Sequence, residues 1–298
     1  MSSLNDQHLG LLALAASGEK RWFFGHVGAG LLALDRLKTY DSSAELAPAL
    51  EQYRGKAKTF VEESEMRASL TPGGAAVDDW RERLGAALVP HTKVLRNSGH
   101  GTIYITWAIR ILSSSPDLAT EPVVAGLEAL AQSALNEDKS RYLSIRDHDR
   151  IYYDDAEVPT SETDRVASAF HAALPQFQDL ETSERTYFLT GSKIHVLTYL
   201  HALMELQHFG FDDLHDAGIS RWWKHLQLCR AMELVAKDYG AAAWSYPEGT
   251  TDPYAKVHED PHAYKYRAAA LDLLASDANS DRSALKSVMD RMQWVWAP

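Results

Sequence analysis

Four histidines, His26, His100, His195 and His262, and one lysine, Lys265, are the residues best placed to do chemistry, because each falls in an apolar or small-residue stretch. Imidazole nitrogens ligate metals and carry protons near neutral pH. A buried lysine becomes a nucleophile once its pKa falls. His26 lies on a helical face that continues through Ala29, Gly30, Ala33 and Leu37. Gly25, Gly28 and Gly30 weaken that helix by about 1 kcal/mol each, so another backbone is expected to approach it closely. His100 stands between two glycines at a helix start, with Ile103, Tyr104 and Trp107 on its face; it can reach into a cavity or cap the helix. His195 shares its face with Thr198 and Tyr199. His262 and Lys265, three apart, are neighbours on one face. Ala269 and Leu273 follow Lys265 on that face, where lysines are rare unless paired; snorkelling to solvent is the ordinary alternative. Taken singly, each histidine is equally readable as a core residue with one hydrogen-bond partner. His201 and His208 read as packing or edge residues.

The elements that must position these groups are helical. Apolar residues recur at three- and four-residue steps over 21–37, 44–53, 77–89, 103–112, 122–135, 162–173, 184–207, 220–237, 261–274 and 282–294, and period-2 alternation is scarce. Asp260 before Pro261 supplies an N-cap and a first-turn proline, and Ser161 with Asp164 resembles a capping box. Loops are expected at 71–74, 147–159 and 245–253. No linker or repeat divides the chain, so residues 1–298 are expected to form one all-α, bundle-like domain around a buried central site.

Composition narrows the function classes. The net charge of −11 leaves no basic footprint for nucleic acid. One cysteine, Cys229, permits neither an intrachain disulfide nor a thiolate-rich metal site. The apolar run at 9–16 lacks the flanks of a signal peptide, and no stretch approaches the roughly 20 apolar residues of a membrane span. A cytoplasmic location with no membrane partner is the expectation; oligomeric state stays open. Gly25-His-Val-Gly-Ala-Gly30 mimics a dinucleotide loop, but its context is helical rather than βαβ. The chain has no HExxH, no locally spaced two-histidine-one-carboxylate set and no Gly-x-Ser-x-Gly elbow.

Four blocks, in order, carry a resemblance. Residues 23–37 followed by 44–53 resemble the opening of the questin oxidase-like family. Ser98-Gly-His-Gly-Thr-Ile-Tyr-Ile-Thr-Trp-Ala-Ile-Arg110 is similar to its His-Gly-x-Ile segment ending in Ala-x-Arg. Ile194-His-Val-Leu-Thr198 is similar to its His-x-x-Thr segment, and Asp260-Pro-His-Ala-Tyr-Lys265 to its Asp-x-His-x-x-Lys helix. Where the family often carries a second histidine, this chain has Trp107.

The resemblance implies a helical, non-haem Fe(II) oxygenase that uses O2 on aromatic, phenolic or quinone-type small molecules. It further implies that His26, His100, His195 and His262 are metal ligands and catalytic residues, joined by Lys265 carboxylated by CO2. Tyr104, Trp107, Thr198 and Tyr199, sharing faces with those ligands, are expected to line the substrate pocket. Two other readings remain at this point: a non-catalytic helical small-molecule binder, and a metal-free, NADPH-dependent Baeyer–Villiger-type monooxygenase.

Overall fold

Leucine and alanine, strong helix formers, fill residues 9–16, and they wind into a helix buried on every side: α1 (Asp6–Lys20), capped by Asn5, whose side chain accepts from the His8 N–H at 2.8 Å. The computed structural model describes residues 5–41, 43–70, 74–136, 141–245, 257–276 and 286–287. The sequence periodicity names no helix over α1, for a physical reason: a segment enclosed all round has no polar face and hence no period.

The fold is all-α. Around α1 pack α2 (Gly25–Leu37), α3 (Ser43–Glu62) and α6 (Glu121–Asn136). The glycines of α2 permit this. A Cβ on Gly28 would lie 2.6 Å from the Gly10 carbonyl oxygen of α1, so the two helices cross backbone to backbone. Between these helices the chain forms α4 (Trp80–Leu88) and α5 (His100–Ser114). It continues through α7 (Glu162–Ala173), α8 (Leu189–His208), α9 (Asp212–Ala236) and α10 (His262–Ser276). The Ser161–Asp164 cap at the head of α7 forms as expected, with the Asp164 N–H donating to Ser161 Oγ at 3.1 Å.

Three boundaries differ most from expectation, and the first is that α3 runs nine residues past Tyr53, to Glu62. Residues 184–188 do not join α8, because Leu180–Glu181 and Thr186–Tyr187 pair as a short antiparallel hairpin. Asp179 Oδ1 then accepts from the Thr190 N–H at 2.9 Å and starts the helix. α9 begins eight residues early, at Asp212, where two aspartates favour a helix N-terminus. The expected segment 282–294, apart from 286–287, and the expected loops at 246–253 and 71–73 lie outside the described residues. Among the described residues no helix is long and apolar enough to cross a membrane.

Among the described residues, α2, α5, α8 and α10 carry the four candidate histidines. α10 packs against α2 and α8, and α5 packs against α8.

Candidate metal centre

Each of those four helices delivers one imidazole: α2, α5 and α10 from the first turn, α8 from its seventh residue. α2 and α5 do so in the same way. A three-residue 3-10 turn, Trp22–Phe24 in one and Asn97–Gly99 in the other, runs into the helix. The histidine then follows, and its Nδ1 reaches the carbonyl three residues back: His26 to Phe23 at 2.7 Å, His100 to Asn97. Gly99 makes the second turn possible, with a left-handed φ of 85° and the Tyr199 ring where a Cβ would sit. In α10 the Asp260 side chain takes the same role, lying 2.6 Å from His262 Nδ1. His195 Nδ1 meets Thr198 Oγ1 at 3.2 Å.

The rings converge. Centroids lie 4.8 Å apart for His26 and His100, 4.6 Å for His26 and His262, 4.2 Å for His100 and His195, and 4.9 Å for His195 and His262. The Nε2 atoms of His100 and His262 each lie 3.1 Å from Nε2 of His26. The nitrogens of His26, His100 and His262 form the tight set, and the His195 ring flanks it.

The second nitrogens decide what this set can bind. A carbonyl or carboxylate oxygen beside Nδ1 can only accept, so Nδ1 carries the proton in His26, His100 and His262. A neutral imidazole protonated there presents a bare lone pair at Nε2. Three such lone pairs, two of them on nitrogens 3.1 Å from the third and all within 4.8 Å, repel unless a cation lies among them. A proton is a poor candidate. Burial pushes the pKa of His26, His100 and His195 well below its ordinary value, with neighbouring imidazoles and Lys265 adding to the effect, and His262 is lowered as well. Neutral imidazoles held at Nδ1 by oxygen partners are the arrangement that metal-ligating histidines adopt. The donor set therefore fits a divalent transition metal.

Lys265 stands beside the cluster. Its side chain is 2% exposed, and among the described residues Nζ has no hydrogen-bond partner. Burial pushes its pKa down to about 7, and its ammonium lies over the Tyr104 ring, 5.6 Å from the centroid. Snorkelling is thus not what this lysine does.

The four residues expected around a substrate are placed differently. Tyr104 packs its ring on His26 and His100 and brings its hydroxyl to 2.8 Å from His26 Nδ1. Thr198 holds His195. Trp107 borders, with Ile103, Thr106, Thr198, His201 and Lys265, a narrow crevice that has room for about one water molecule. Tyr199 is buried beneath Gly99. As packed, the crevice is too small to admit an aromatic ring.

Beyond Lys265 the same four helices meet a second time. Asp272 of α10 accepts from Arg36 of α2 at 2.7 Å, Arg110 of α5 at 2.8 Å, His201 of α8 at 3.1 Å and Tyr40 at 2.6 Å. Burial works to raise its pKa, but bonds and charge from His201, Arg110 and Tyr40 outweigh it and hold the carboxyl well below its ordinary range. His201, Glu205 and Asp272 have metal-ligating atoms in reach of one another. Arg110, however, bridges Glu205 and Asp272, so this cluster is already neutralised and is an ion-pair hub.

Sequence reasoning missed Asp260 as the partner of His262, the Trp22–Phe23 rings against the cluster, and Asp272. Asp260 and Asp272 carried faint signals: an acid two residues before a histidine, and an acid within an otherwise apolar helix. No family model matches the chain, and no curated protein or solved structure is significantly similar to it.

Proposed function

We propose that this chain is a metal-dependent oxygenase acting on small aromatic, phenolic or quinone-type molecules. In this reading His26, His100, His262 and His195 hold a divalent metal, Fe(II) by preference. The observation that carries it is the convergence of three Nε2 lone pairs whose Nδ1 partners leave them no proton. The resemblance of the four histidine blocks to the questin oxidase-like family and the aromatic surroundings of the cluster support the assignment. A redox-active metal held there supplies the one-electron chemistry that lets ground-state dioxygen react with an electron-rich ring.

The chain's own residues prepare that site. The Phe23 and Asn97 carbonyls and the Asp260 carboxylate fix the tautomer and orientation of their histidines, and Thr198 orients His195. Tyr104 closes one wall against water. Lys265, with its lowered pKa, offers a free amine near neutral pH. We assign it a carbamate: Nζ attacks the carbon of CO2, a C=O electron pair moves to oxygen, and the nitrogen loses a proton to solvent. The carboxylate so formed adds an anionic oxygen beside four neutral imidazoles.

Metal analysis joined to oxygen uptake tests the proposal. Protein prepared without chelator and supplied with Fe(II) should hold about one metal per chain and consume O2 with an electron-rich naphthol. Chelation or His100→Ala should abolish both. Metal uptake unaffected by His100→Ala, or oxygen uptake that survives chelation and requires NADPH, would overturn it.

A further inference from the structure

Trp22 and Phe23 lie on the 3-10 turn that leads into α2, and their rings touch the cluster directly. Trp22 is centred 4.9 Å from the His100 ring and 5.9 Å from that of His26; Phe23 is centred 4.9 Å from His26. The next residue, Phe24, is 40% exposed and already has a ring partner, stacking on Phe60 at 5.5 Å, with Lys20 over Phe60. Phe23 is more open, with 61% exposed, and it is the one of the two that lies against the cluster. The turn holds these rings in place, since the Trp22 N–H donates to Ser133 Oγ of α6 at 2.9 Å and the Phe24 N–H to the Arg21 carbonyl at 3.0 Å. The crevice that Lys265 lines with Trp107 takes about one water molecule.

We propose that Trp22 and Phe23 are the platform on which a planar aromatic substrate stacks to meet the histidine cluster. The inference rests on the metal-centre reading above and deepens it, because it moves substrate binding from the Tyr104–Trp107 side to the outer side. A ring stacked on Phe23 at the usual spacing of roughly 4.5–7 Å between centroids becomes the neighbour of His26. Any oxygenated or quinonoid edge of the molecule is then free to point at the cluster. Phe23 is a specificity-determining residue in this arrangement, and Trp22 its fixed second wall.

Fluorine NMR of fluorotryptophan-labelled full chain, titrated with naphthol in the presence of zinc, tests the proposal. Zinc content is measured on the same sample, and the Trp22 and Trp107 resonances are assigned through Trp22→Phe and Trp107→Phe. The Trp22 resonance should move and that of Trp107 stay. Phe23→Leu should weaken naphthol binding about three- to ten-fold, the worth of a ring–ring contact, whereas Phe23→Tyr should bind like the parent. Zinc content should be unchanged in both variants. A Trp107 resonance that moves while Trp22 stays, or Phe23→Leu binding as tightly as phenylalanine, overturns the platform. A chain that takes up no zinc yet still shifts Trp22 upholds the platform and removes the oxygenase reading.

Discussion

Replacing Lys265 by methionine should stabilise the metal-free protein, and by an amount that depends on pH. Lys265 is buried without a hydrogen-bond partner among the described residues, and burial moves its pKa from the ordinary 10.5 to about 7. For a base with a lowered pKa the unfolded chain binds the proton more readily. Stability therefore rises as pH climbs from about 7 toward 10.5, and the full penalty is present below 7. At 1.36 kcal/mol per pKa unit the lysine costs about 5 kcal/mol at pH 6 and about 2 kcal/mol at pH 9. Methionine fills a similar volume without a titrating group. Urea denaturation of chelator-treated protein in CO2-free buffer should show Lys265→Met the more stable, by some 2–3 kcal/mol more at pH 6 than at pH 9. Metal affinity should fall in the same variant if the carbamate is a ligand. A stability gap that does not change with pH would refute the reasoning, for it would mean that the amine is not forced to lose its proton in the folded state.

Three further outcomes follow from the same geometry. Asp260→Asn should keep the α10 cap yet weaken metal binding about 10- to 100-fold, measured by chelator competition, because the amide no longer enforces the Nδ1–H tautomer of His262; unchanged affinity would refute it. His91 and His225 are each pushed by burial to a pKa of about 4, and their lowered values mean that the unfolded chain takes up protons first. Stability should fall as pH drops through 6.5, by about 2–3 kcal/mol for each of them at pH 4.5, so a flat urea midpoint over that range would contradict it. Gly28→Ala should lower stability by about 1–3 kcal/mol in thermal or urea unfolding even though alanine favours helix, because the new Cβ meets the Gly10 carbonyl.

What was legible in the sequence was local. The faces of His26, His100 and His195 could be read because helical spacing places their small and apolar neighbours, and the glycines of α2 announced a close backbone contact that Gly10 of α1 supplies. α1 itself was hidden, since it is apolar on every side and periodicity detects only helices with a wet face. The expected 184–207 helix ran too long because nothing in the spacing signals that Asp179 will start it at Leu189. The site was legible as candidates and not as an arrangement. His26 and His262 are 236 residues apart, and their meeting depends on how α2, α5, α8 and α10 pack. His201 looked like a packing residue because its partner, Asp272, is 71 residues away.

Asp272 and the histidines clamp the same four helices at two heights. Arg36, Arg110 and Asp272 each stand ten residues beyond the histidine of their own helix, about 15 Å along its axis. Two fixation points per rod set both separation and tilt, whereas one would leave each helix free to pivot. A metal bound there would be unable to draw its ligands into the shape it would choose in solution and would have to accept the spacing it finds. In such a frame, rigidity rather than the intrinsic ranking of metal–imidazole strength would govern which ion such a site retains. It also means that loosening the carboxylate end should broaden the range of ions bound at the other.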